Sequence, residues 1–252
     1  MTNKILIRTD DLGYSKAVNY GIYESIHNGL IKNVGFMVNM DASEHGLNLI
    51  KDEDVAIGLH TVICVGKPLL DPKLIPSIVQ DNGEFKKSKT YRMADCDFVK
   101  FDEVILEIEA QYQKFVKLVG RKPDYFEGHA VSSDNFNKGL EYVANKHNVP
   151  FLACSPDSNV DVKFKNSVLR PIMECMEDSY SPEELIKRAA SFAKNNDIIP
   201  MIIFHCGYLD EYILKNSSLT FPRVKEVEAS VDKQLKEWID AHNIELTDYR
   251  KM

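Results

Sequence analysis

Short β-rich runs alternate with longer stretches of helical periodicity along nearly the whole sequence, and this alternation restricts the chain to a largely parallel α/β fold. Apolar runs of strand character fall at 4–8 (KILIR), 34–38 (VGFMV), 55–60 (VAIGLH), 124–129 (DYFEGH), 150–154 (PFLAC), 198–206 (IIPMIIFHC) and 244–249 (IELTDY), with a shorter candidate at 167–171 (SVLRP). Helical patterns at about 15–29, 41–51, 101–119, 134–147, 181–195 and 223–242 lie between them. Ser181 ahead of Pro182, Glu183 and Glu184 reads as an N-cap with proline at the first helical position. About seven strands with intervening helices suggest a closed, TIM-like (β/α) barrel. No internal repeat or Pro/Gly/Ser linker divides the chain, so a single domain over residues 1–252 is expected. Segment 61–97, with Gly66, Pro68, Pro72 and Pro76, is longer than an ordinary connection and reads as a functional loop or lid.

A net charge of −7 without any clustered Lys/Arg stripe argues against nucleic acid as a partner. No run approaches the roughly 18–20 apolar residues of a bilayer span, and the first strand follows the N-terminus without an apolar leader. The five cysteines (Cys64, Cys96, Cys154, Cys175, Cys206) form no CxxC pair, and an odd number suits reduced thiols better than a disulfide framework. A cytoplasmic protein acting on a small molecule is the expectation, and a homodimer is compatible with it.

In a (β/α) barrel, catalytic groups come from the C-terminal ends of strands. Here the first run ends at Asp10 and Asp11, and three others end at His60, His129 and His205. Two carboxylates and three imidazoles are therefore delivered to one mouth, whereas His27, His45, His147 and His242 fall in or beside helical patterns. A single "DD" is often a turn or helix cap, and a lone strand-end histidine is often structural. Coincidence at four strand ends is what favours a site. One Asp with two His suits a divalent metal that keeps positions open for water and substrate. A second carboxylate can then take a proton from water, and a further His can protonate a departing group, which is the inventory of metal-assisted amide or ester hydrolysis. Cys64 and Cys206 are a rival thiolate ligand set. No GxSxG elbow is present, which disfavours a Ser/His/Asp hydrolase.

The motifs TDDLGYSKAVNYGI (9–22), VAIGLHTVICVGKPLL (55–70) with IPSIV (75–79) and DNGEF (81–85), and FHCGYLDE (204–211) followed by Ser217, Ser218 and Arg223 resemble, in the same order, those of the YdjC-like carbohydrate deacetylases, which include chitooligosaccharide deacetylase. The resemblance implies that Asp11, His60 and His129 bind one divalent metal ion (Mg or Zn), that Asp10 is the general base, and that His205 is the general acid. It also implies a distorted barrel that removes N-acetyl groups from small amino-sugar oligosaccharides. Arg170 resembles a family arginine near the substrate. Tyr14 and Phe85 are candidates for stacking on, or closing over, the sugar, and Trp238 reads as core. Where the family pattern has three histidines after its fourth strand, this chain keeps His129 and has Val131 and Ser133 at the other two positions. Another metal-dependent barrel reaction (isomerase or phosphodiesterase) and a non-catalytic sugar-binding role are the alternatives.

Overall fold

The computed structural model describes residues 3–153 and 160–252. Its strands are β1 (Lys4–Leu12), β2 (Asn33–Phe36), β3 (Ala56–Thr61), β4 (Phe126–Gly128), β5 (Val162–Phe164), β6 (Ser167–Ile172), β7 (Ile199–Phe204) and β8 (Glu245–Thr247). Its helices are α1 (Lys16–His27), α2 (Ser43–Ile50), α3 (Ser88–Arg92), α4 (Phe101–Val119), α5 (Asp134–Lys146), α6 (Pro182–Asn195), α7 (Glu211–Asn216), α8 (Phe221–Val231) and α9 (Lys233–Ala241). The sheet order is β4-β3-β2-β1-β7-β6-β5, with β8 added beside β1. All pairings are parallel except β5–β6. This is the distorted (β/α) barrel that the resemblance implies: a curled, mostly parallel sheet jacketed by helices, which among the described residues stays open between β4 and β5 rather than closing.

β1 occupies the middle. Leu6 pairs with Met201 and Thr247, and Thr9 pairs with Val34 and Phe204, so β7 lies along one edge while β8 and β2 share the other. Side chains alternate across this sheet with period two. Ile5, Ile7, Ile57, Leu59, Phe126, Ile202 and Phe204 face the helices and pack with residues such as Val18, Ile108 and Ile186. Leu6, Ala56, Tyr125, Leu169, Met201 and Ile203 face inward and pack together with Tyr249. Removing each such aliphatic chain from water contributes about 1.5–3 kcal/mol. The parity then carries upward: Arg8 and Asp10 on β1, His60 on β3 and Glu127 on β4 share the inward face. They sit above this apolar floor.

Several expectations are adjusted. The run at 150–154 supplies one bridge, Phe126 to Phe151, rather than a strand, and Cys154 lies outside the described residues. The short candidate at 167–171 is a true strand, and β5 pairs with it as an antiparallel partner that the sequence pattern did not reveal. The helical stretch at 223–242 divides at Asp232, whose side chain accepts from the backbone N–H of Leu235 and caps a new helix. Ser181 caps α6 as anticipated, accepting from the Glu184 N–H, and Ser15 and Ser133 cap α1 and α5 in the same way. Cys64, Cys96, Cys175 and Cys206 are free thiols. Among the described residues, no helix is long and apolar enough to cross a membrane. Trp238 is partly buried against the helix-layer core and stacks on His242.

Candidate metal centre and active site

A cavity of about 290 Å³ opens at the C-terminal ends of the parallel strands, and Asp10, Asp11, His60, His129 and His205 all line it. Four separate segments deliver these five side chains to one place.

The adjacent carboxylates reach the same cavity because β1 is irregular there. Period-two alternation would send Asp11 towards the helices with Ile5 and Ile7. Instead the register with β2 shifts between Thr9 and Leu12, and Asp11 adopts φ 76°, the left-handed region that Asp tolerates better than most residues. The bulge turns Asp11 inward beside Asp10. Room for both comes from Gly35 on β2, since a Cβ there would lie 2.7 Å from Asp10 Oδ1 and 3.2 Å from His60 Cβ.

Asp11 is fully buried, and its two oxygens have different surroundings. Oδ2 accepts from the Arg223 guanidinium at 2.7 Å. Oδ1 accepts no hydrogen bond, although His129 Nδ1 stands 3.2 Å away and His60 Nε2 3.4 Å away, and these nitrogens are 2.9 Å from each other. A buried carboxylate oxygen without a hydrogen bond is costly, and a cation between it and two imidazole nitrogens would relieve it. Asp11, His60 and His129 are one of the groups whose donor atoms lie within 4.8 Å of one another. One carboxylate oxygen and two imidazoles form a donor set that suits a divalent ion.

The groups behind the donors fix their orientation. His60 Nδ1 donates to Glu127 Oε1, leaving Nε2 as the nitrogen turned to the cavity, the usual way a ligating histidine is held. Arg8 donates to Asp10 Oδ2 at 2.7 Å and to Glu127 Oε2 at 3.3 Å, tying the two carboxylates together, while Asp10 Oδ1 has no hydrogen-bond partner. Burial would depress His60, but the Glu127 and Asp10 carboxylates more than offset it and raise its pKa to about 9. Burial pushes the Asp11 carboxyl up, yet Arg223 and the two imidazoles override this and hold it well below the usual carboxylate range.

His205 follows β7 and keeps the inward parity of Ile203. Burial lowers its pKa to about 4, with Asp11 and Asp10 opposing. Its backbone N–H donates to Glu226 Oε2 at 2.6 Å, and its carbonyl accepts from Arg223 at 3.2 Å. Glu226 is fully buried, and desolvation raises its pKa to about 8; its other oxygen accepts from Tyr180 Oη at 2.7 Å.

The structure brings Tyr14 to the cavity wall, with its hydroxyl donating to the carbonyl of Asn216 at 3.3 Å and its ring edge-on to His129. Arg170 and Phe85 do not line the cavity. On β6 it is Leu169 that faces inward, so the next residue, Arg170, points away and pairs with Asp161 at 2.7 Å. Phe85 is buried within its own loop, opposite Val79. That loop instead contributes Ser88 and Arg92 from α3. Val131 packs in the core and Ser133 caps α5, while Ala130 and Ser132 reach the cavity. Cys206 is buried with its N–H on Thr9, and Cys64 contacts the carbonyl of His129, so neither joins the donor groups. Of the other histidines, His27 pairs with Glu53 and His147 with Glu109, while His45 and His242 meet Asn19 and the carbonyl of Trp238.

Arg8, Glu127 and Glu226 were not singled out by sequence, and Arg223 was named only as part of the family-like segment after FHCGYLDE, without a role. For Arg8 the signal was present, two residues before Asp10 on the same strand face. For Glu226, on a helix far along the chain, there was none.

A curled (β/α) sheet thus presents an Asp/His/His donor set, with a flanking carboxylate and histidine, at the C-terminal mouth of its strands. The model of the YdjC-like protein family matches residues 4–241, and the chain belongs to that family. It is 29% identical over 255 residues to the carbohydrate deacetylase of Clostridium beijerinckii, covering 98% of this chain and 99% of that protein. It is 28% identical to carbohydrate deacetylase 2 of Listeria innocua, with 98% and 97% covered. In structure it superposes with a TM-score of 0.84 on an Enterococcus faecalis V583 protein described as a candidate cellobiose-phosphate cleavage protein. That match is 22% identical and covers 100% and 99% of the two chains, and it supports the fold.

Proposed function

We propose that the protein is a metal-dependent deacetylase that removes N-acetyl groups from amino-sugar oligosaccharides of the chitooligosaccharide type. The observation that carries this reading is the unsatisfied Asp11 Oδ1 facing two imidazole nitrogens, with Asp10 and His205 in the same cavity. The family membership and the names of the relatives support the substrate class.

Asp11, His60 and His129 would hold one divalent ion, Mg or Zn. When bound, such an ion supplies Lewis acidity, polarising a carbonyl and bringing water's pKa towards roughly 7. Asp10 is the general base. Arg8 anchors one of its oxygens and the other is uncommitted, so it can take the proton of the attacking water without reorganising. His205 is the general acid that protonates the leaving amine. With a pKa lowered to about 4, it parts readily with a proton once it holds one. Negative charge developing on the substrate's carbonyl oxygen favours the imidazolium at that moment. Tyr14 forms a wall against the sugar, and segment 61–97 acts as the lid, presenting Ser88 and Arg92.

Acetate release from diacetylchitobiose in the presence of added divalent metal tests the reading. Asp10→Asn and His205→Ala are each expected to lower kcat by about 10²–10⁴, and chelation to abolish turnover. An Asp10→Asn enzyme with full activity would remove the proposed base.

A further inference from the structure

A second donor cluster lies behind the general acid. Cys175, in the segment after β6, is buried yet lines the cavity, and its Sγ faces His205 Nδ1 at 3.9 Å. The carboxylate of Glu226 completes a group whose donor atoms all lie within 4.8 Å of one another. In a tetrahedral zinc site, with Zn–S about 2.3 Å and Zn–N about 2.0–2.1 Å, sulfur and nitrogen stand about 3.6 Å apart. The observed spacing is about 0.3 Å longer, so the two side chains would close by that much to reach a tetrahedral angle. The Glu226 oxygens already accept from Tyr180 and the His205 backbone, but each keeps a second lone pair.

We infer that Cys175, His205 and Glu226 form a second, inhibitory site for a thiophilic divalent cation such as zinc or cadmium, entered through the substrate cavity. Its residues are distinct from Asp11, His60 and His129, and its thiolate makes it the softer of the two sets. Binding is a proton exchange without redox change. The Cys175 thiol and the Glu226 carboxyl give their protons to solvent, His205 contributes the Nδ1 lone pair, and the one remaining ring proton stays on Nε2. A ring held in this way cannot become the imidazolium that donates to the leaving amine. The inhibition rests on the deacetylase reading above; the binding does not.

Titration of the chelated protein with cadmium alone tests the binding. Two ions per chain and a thiolate-to-cadmium charge-transfer band in the ultraviolet are expected. Cys175→Ser should lose the band and one ion, whereas Cys64→Ser and Cys96→Ser should keep both. A band that persists in Cys175→Ser, or one ion per chain with no band in the unsubstituted protein, overturns the proposal. With diacetylchitobiose, the zinc concentration that halves each enzyme's own rate should rise at least tenfold in Cys175→Ser. Equal sensitivity of the two enzymes would refute the inhibitory role. If acetate is never released but the Cys175-dependent band is present, the second site stands and the deacetylase reading fails.

Discussion

Replacing Arg223 by methionine keeps much of the apolar stem of the side chain and removes its charge. Arg223 is 2% exposed; it donates to Asp11 Oδ2 at 2.7 Å and to the carbonyls of His205 and Leu219 at 3.2 and 2.9 Å. Without it, a carboxylate with no solvent exposure keeps only the imidazoles as partners. Breaking a buried ion pair from one side costs about 3–5 kcal/mol. In a chain of this size each kcal/mol moves Tm by about 2–4 °C, so a fall of roughly 6–20 °C is expected. The loss should shrink when a divalent ion is present, because the ion places positive charge on the same carboxylate and stabilises the state that binds it. Thermal unfolding of chelated and metal-saturated protein measures both quantities. A loss below about 1 kcal/mol in the chelated protein would show that Asp11 does not depend on Arg223. Equal stabilisation of both proteins by metal would refute the proposed compensation.

The free protein should lose stability as pH rises from about 6.5 to 9. His60 has a folded pKa of about 9 against an ordinary 6.5, so its contribution is complete below 6.5 and disappears through 9. Glu226, raised to about 8, holds a proton that the unfolded chain has released above its usual range, and it pulls the same way. The limiting slope is ~1.4 kcal/mol per pH unit for each group, and denaturant titrations of Glu226→Gln should show a shallower fall below pH 8. Gly35→Ala places a methyl 2.7 Å from Asp10 Oδ1, at an overpacking cost of about 1–3 kcal/mol. Its kcat should fall about tenfold or more with KM nearly unchanged, since displacement of a reacting group is what suffers. An unaltered kcat would show that Asp10 tolerates the shift.

The architecture was legible because the two periodicities differ so plainly, and the strand-end residues could be read by a rule of position. What escaped had identifiable causes. The three-residue β5 is too short to show a period, and the break between α8 and α9 depends on a single capping Asp. Arg170 was misplaced by one residue of register: Leu169 claims the interior, and period-two alternation leaves no choice for its neighbour. The five cavity groups came from local patterns, whereas Arg223 and Glu226 reach them only through the tertiary fold. The doublet was the hardest case. An unbroken strand would place Asp10 and Asp11 on opposite faces, and the left-handed residue at a bulge turns both into one cavity.

The central position of β1 also makes the site depend on segments far along the chain. Arg8, Asp10 and Asp11 are synthesised well before the guanidinium that secures Asp11, which arrives 212 positions later. β7 and β8, which flank the strand bearing both carboxylates, likewise come from the last quarter of the chain. A polypeptide cut short of α8 carries all three proposed ligands and the proposed base, yet lacks the cation that holds Asp11 in place. Loss of the C-terminal region thus removes the assembly while sparing every proposed ligand, the proposed base and the proposed acid.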